Sequence, residues 1–170
     1  WAFDRTKEAD GILRVEVGVE RLPLAIPVAR VDGTWRFDAA AGRAELLARR
    51  VGRNELEAIG LCRQYLEMQV EYAAEDRDAD GVREYAQRVA STPGTQDGLY
   101  WETPGGENME PSPLGIALAT IGDQGADAVP HGGYRWSILK AQGAHAPGGA
   151  YGYVLNGNMI AGFALVAAPA

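Results

Sequence analysis

Cysteine is almost absent: Cys62 stands alone among 170 residues, so no disulfide can form within the chain and cysteine pairing says nothing of the redox compartment. Long apolar runs are absent too. None reaches the roughly eighteen residues that a membrane-spanning helix requires, and the first residues lack the basic start and apolar stretch of a signal peptide. Basic charge is scarce in the middle of the chain. The net charge is −7, and although residues 1–63 carry eleven basic and ten acidic side chains, residues 64–110 carry eleven acidic side chains against three arginines. An excess of that sign repels a phosphate backbone and attracts cations, which argues against a nucleic-acid partner. Catalytic signatures are also missing: there is no G-x-S-x-G, H-E-x-x-H, P-loop or dinucleotide glycine pattern.

What is present is the material of a globular domain. A content of 46% hydrophobic and 23% charged residues argues against disorder and against a fibrous repeat, and 170 residues suffice for a real core. Gly11 to Glu20 and Leu24 to Val31 read as strands, and Asp32-Gly33 before Trp35 is a hairpin signal. Trp35 and Phe37 are expected to alternate inward with Val28 and Val31. Pro23 and Pro27 push their segment to a sheet edge or bulge.

From about Ala41 to about Glu75 no proline occurs, and Leu46, Leu47, Leu56, Ile59, Cys62, Leu66 and Ala73 recur at helical spacing, with Asp38 as N-cap. The expectation is one long helix burying Leu56, Ile59, Cys62 and Leu66; a break near Gly52 is the alternative. A short element through Tyr85 and Val89, a proline- and glycine-rich excursion over 92–115, and a short helix from Ser112-Pro113 to Ile121 follow. Tyr134 to Ala141, Tyr151 to Leu155 and Met159 to Ala167 read as strands, the last two joined through Asn156-Gly157-Asn158. The fold class is therefore α+β: a long helix packed on an antiparallel sheet and preceded by a β-hairpin. Residues 1–40 form the hairpin region, and residues 41–170 the helix, loop and sheet.

Asp76, Asp78, Asp80 and Gly81 spell D-x-D-x-D-G, the opening half of an EF-hand-type calcium loop, in which alternate oxygens converge on a hard cation and the glycine permits a sharp turn. Val82 would add its carbonyl and Glu84 a carboxylate. The loop departs from a regulatory EF-hand at Arg83, where an apolar residue is usual, and at Gln87, where a bidentate glutamate is usual. A solvated acidic turn is the competing reading. His131 and His145 lie in glycine- and proline-rich loops without metal-ligand partners, and Cys62 falls in an apolar stripe, so neither type points to catalysis. Leu99-Tyr100-Trp101 either plugs the core or lines a pocket. Arg49, Arg50 and Arg53 either hold an anion or pair with Glu45 and Glu57.

Thr34 to Asp38, Arg49 to Leu56, Glu71 to Asp78, Asp97 to Trp101 and Pro147 to Tyr151 together resemble a bacterial family known as a domain of unknown function, number twenty-nine fifty. The resemblance covers nearly the whole chain and implies an exported protein, periplasmic or on the cell surface, with more chain before Trp1 and further strands after Ala170. It supplies no catalytic residues. The order of long helix, variable loop and antiparallel strands also resembles the globular part of pilins and pseudopilins, and the first hairpin is similar to the end of a cystatin-like sheet. These observations combine into a non-catalytic envelope or extracellular protein that binds or self-assembles around a structural calcium loop. A hydrolase acting on an envelope or extracellular polymer and a small-molecule binding module are the alternatives.

Overall fold

The computed structural model describes residues 3–9, 11–102 and 130–170. The chain divides into two compact units, Trp1–Leu56 and Glu57–Ala170, and the boundary falls inside one long helix. The short helix expected from Ser112 to Ile121 lies outside the described residues.

In the first unit, β1 (Phe3–Ala9), β2 (Ile12–Val17), β3 (Leu22–Pro23), β4 (Val28–Val31) and β5 (Thr34–Phe37) make an antiparallel sheet in the order β1-β2-β4-β5, with β3 beside β2. The hairpin forms where expected. Asp32 and Gly33 have φ of 51° and 77°, the left-handed pair that a two-residue I′ turn requires, and Val31 faces Thr34 across it. Pro23 pairs only within two-residue β3, where its missing N–H interrupts no longer ladder. The expected inward alternation is corrected. Phe37 stands opposite Val28 and shares a face with Trp35, yet both rings are exposed, while Val31, an odd number of residues from Val28, points to the other face.

Helix α1 (Ala39–Tyr72) is continuous through Gly52 and Gly60. Its start is capped as the sequence implies, with Asp38 Oδ1 accepting the Ala41 amide at 2.9 Å. Gly42 weakens the helix by roughly 1 kcal/mol relative to alanine, but an added Cβ would lie 2.8 Å from the Ile26 side chain. The glycine is what lets the first turn of the helix lie against Ile26. The Arg49 guanidinium pairs with Glu45 at 2.8 Å one turn earlier, as the self-paired reading has it for that arginine.

The second unit contains β6 (Tyr134–Leu139), β7 (Ala141–Gln142), β8 (Tyr151–Gly152), β9 (Val154–Leu155), β10 (Asn158–Met159) and β11 (Ala164–Pro169). β6 and β11 pair antiparallel, setting Leu165 opposite Ile138 and Ala167 opposite Trp136. Their shared face receives the second half of α1. Ala58, Leu61 and Cys62 pack around Trp136, which is 1% exposed, and Tyr65, Met68 and Tyr72 pack with Ala86, Val89, Leu99 and Trp101. Leu99 and Trp101 thus plug this core.

The buried stripe differs from the expected one. Leu56, Ile59 and Leu66 are 71%, 50% and 53% exposed, and the face turned inward is Ala58, Cys62, Tyr65, Gln69 and Tyr72. Both stripes have three-and-four spacing, so periodicity alone does not choose between them. The chosen face buries two tyrosine rings, which remove more area from water than two aliphatic chains, and it sets small Ala58 against the large Trp136.

Gln69 at the centre of that face is 0% exposed. Its amide nitrogen donates to the Ala86 carbonyl at 2.9 Å and to Tyr65 Oη at 2.8 Å, and its oxygen accepts the Ala86 amide at 2.8 Å. Both side-chain donors are satisfied, and the irregular chain around Ala86 is held to the helix as a strand would be held to a neighbour. Gln69→Leu keeps the volume but strands a buried N–H and C=O, each worth about 1–3 kcal/mol, so chemical denaturation should report a loss of about 2–6 kcal/mol. Leu66→Asp, on the exposed face, should stay within about 1 kcal/mol of the parent; unfolding by that change would refute the assigned face.

Candidate metal centre

The helix ends in a tightened turn, with the Ala73, Ala74 and Glu75 amides donating to Gln69, Glu71 and Tyr72 carbonyls. The chain then enters the acidic loop. One carboxylate oxygen each of Asp76, Asp78 and Asp80 lies within 4.8 Å of the others, and all three residues are exposed. Local hydrogen bonds set this convergence: Asp76 Oδ2 accepts the Gly81 amide at 2.9 Å, Asp78 Oδ1 the Asp80 amide at 3.3 Å, and Asp80 Oδ1 the Val82 amide at 2.7 Å. Gly81 has a φ of 87°, which lets the backbone turn back on Asp76. Three hard oxygen donors on alternate residues suit a divalent cation that takes oxygen ligands, and the exposed position permits water to complete its shell.

Val82, expected to offer its carbonyl, donates its amide to Asp80 Oδ1. Glu84 Oε2 accepts the Met159 amide at 2.8 Å and a bond from Gln87 Nε2 at 3.4 Å, so this carboxylate is engaged on β10. Gln87, where a regulatory loop has glutamate, donates to the Gly157 carbonyl. Asn158 Nδ2 donates to Asp80 Oδ2 at 2.7 Å. The β9–β10 hairpin is therefore pinned to the acidic loop and its exit by three side chains, none of them identifiable from the sequence because their partners lie about seventy residues away.

Arg77, inside the acidic run, turns to the core: its guanidinium lies 5.3 Å from the Tyr72 ring centroid and 5.1 Å from that of Trp101, and Nε donates to the Tyr72 carbonyl at 3.3 Å. Tyr72 Oη donates to the Gln96 carbonyl at 2.7 Å. Burial, then the charge of Glu84, pushes the Tyr72 phenol up to about 12, so it is a neutral hydrogen-bond donor throughout the physiological range. Burial also raises the Cys62 thiol, which suits a packing role. The His131 backbone bonds Tyr134, and among the described residues no hydrogen bond or ion pair joins either histidine side chain to a carboxylate.

A second loop closes the same unit. Asp97 accepts the Thr92 amide at 2.7 Å, the Thr92 and Thr95 hydroxyls at 2.8 Å, and an ion pair from Arg88 at 3.3 Å. Gly98 follows because a Cβ there would lie 2.8 Å from the Ala90 and Ser91 backbone, which pairs with Tyr100. Ser91 to Thr95 with Tyr100 and Trp101 border a cavity of about 460 Å³.

Residues 4–170 match a family model described as a protein of unknown function (DUF2950). No curated protein and no solved structure matches the chain. No helix among the described residues is long and apolar enough to cross a membrane.

The Asp97 loop generates an acid-stability prediction. Partial burial raises its carboxyl pKa, but the Thr92 amide, the two threonine hydroxyls and Arg88 outweigh that and hold it below the ordinary 3.8. A depressed folded pKa means stability that is complete above about pH 4 and is lost as pH falls through the folded value. Asp97→Asn should therefore lower the melting temperature near neutrality, and the difference from the parent should shrink as the melts are moved down from pH 5 to pH 2. A difference that does not change with pH would remove the carboxylate from this role.

Proposed function

The chain belongs to the DUF2950 family, proteins of unknown function, over residues 4–170, and from that premise we propose that it is an exported envelope or extracellular protein whose role is non-catalytic binding or assembly, with a calcium ion stiffening the loop after α1. The observation that carries this reading is the convergence of Asp76, Asp78 and Asp80 within 4.8 Å. Three exposed carboxylates at that separation repel one another without a cation, and oxygen donors of this kind match calcium better than a soft metal. Without a bidentate glutamate at the twelfth position the affinity is modest, at the micromolar-to-millimolar end of the range for such loops. That range fits surroundings rich in calcium, which is what export supplies. Glu84 can contribute through water while it keeps its bond to Met159, and Asn158 positions Asp80.

The cavity beside Trp101 favours a second reading, a small-molecule binding module, because its volume of about 460 Å³ falls in the range of ligand pockets and two aromatic residues border it.

A ligand that binds only the folded state raises stability by about 2.7 kcal/mol at a hundredfold excess over its dissociation constant. Thermal melts in millimolar calcium should therefore lie above melts in chelator for the wild type, and Asp78→Ala should abolish the difference. Identical wild-type melts, together with no heat of calcium binding in calorimetry, would reduce the motif to an acidic turn.

A further inference from the structure

Of the four asparagines in the sequence, only Asn156 precedes a glycine. Asn156 and Gly157 are the two central residues of the β9–β10 turn, both exposed and both at positive φ, 54° and 99°, with Leu155 paired to Asn158. A glycine amide has no side chain to shield it, so Gly157 N can attack Asn156 Cγ. In that step the N–Cγ bond forms, the Cγ–Nδ2 bond breaks and ammonia leaves, carrying the amide proton. Water then opens the five-membered imide at either carbonyl, giving aspartate or isoaspartate.

Ring closure requires the Asn156 backbone and side chain to rotate so that Gly157 N reaches Cγ, a movement that a closed two-residue turn with both residues at positive φ restrains. Strands of two residues each hold such a hairpin weakly by themselves. What keeps it closed is the set of side chains reaching over from the acidic loop: Asp80 to Asn158, Glu84 to the Met159 amide, and Gln87 to the Gly157 carbonyl.

We propose that Asn156 is a site of spontaneous deamidation whose rate is set by this three-membered latch, and that conversion to isoaspartate undoes the latch. An isoaspartate adds a methylene to the main chain of a two-residue turn, which displaces Asn158 from register with Leu155 and so from Asp80. It also sets a new negative charge beside the loop. The modification therefore acts on the residue that positions Asp80, and it needs no enzyme.

The test is peptide mapping of the intact chain by mass spectrometry after incubation at mildly alkaline pH, for the wild type, Gln87→Ala and Asn158→Ala, with a synthetic peptide of residues 151–160 as the unrestrained limit. Asp10, Asp32, Asp80 and Asp97 also precede glycine, but their isomerisation leaves the mass unchanged, so a gain of about one dalton reports loss of a side-chain amide, which the peptide map assigns to its residue. The expected result is a gain confined to Asn156, slow in the wild type, several-fold faster in each variant and fastest in the peptide. Circular dichroism checks that the variants are folded, and two separate variants guard against the failure of one. No gain at Asn156 in the protein while the peptide converts, or the same rate in wild type and both folded variants, would overturn the proposal.

Discussion

The bidentate pairing of Gln69 with Ala86 is the constraint on which most of the second unit depends. The chain from Val82 to Val89 lies outside any helix or strand, and around Ala86 it must satisfy its backbone while it lies against the helix to bury Ala86 and Val89. One primary amide supplies what a neighbouring strand would otherwise supply. Two residues before Ala86 stands Glu84, and one residue after it Gln87, the two side chains that hold β10 and its turn. A helix residue thus sets the height and register of an irregular segment, and that segment in turn sets the hairpin that faces the acidic loop.

The acidic loop is joined to the body at both ends by contacts of the protein itself. At its entry Arg77 lies against the rings of Tyr72 and Trp101, and at its exit Asn158 reaches Asp80. The carboxylates are therefore brought near one another by backbone amides and by these two attachments, so the convergence belongs to the fold of the chain. That is the arrangement expected of a site in which an ion stiffens an existing loop, in contrast to one that folds only around its metal.

Much of the architecture was legible because it rests on short-range rules. Asp32-Gly33 gave its hairpin because few residue pairs accept two positive φ values in succession. Asp38 gave its cap, the absence of proline gave the length of α1, and alternate aspartates before Gly81 gave the convergence of three oxygens. The inward face of the helix was not legible, since two stripes share one period and the decision lies with Trp136, about eighty residues away. Gln69 was invisible for the same reason: a glutamine on a helix ordinarily faces water, and it is the backbone amide and carbonyl of Ala86 that make its burial favourable. The anchoring roles of Glu84, Gln87 and Asn158 likewise depend on pairings that no local pattern encodes.

Ala58, Trp136 and Ala167 meet as one large side chain between two methyl groups, the first on the helix and the others on paired strands. Interiors pack like solids, so the space these three occupy is close to conserved. A larger residue at 58, where the site is buried, presses on the indole at 136, and a chain that loses the indole leaves a space that a larger residue at 58 or 167 can help to fill. The three sites therefore form a single inherited unit of volume: as sequences of this fold diverge, substitutions at them are free to drift only together.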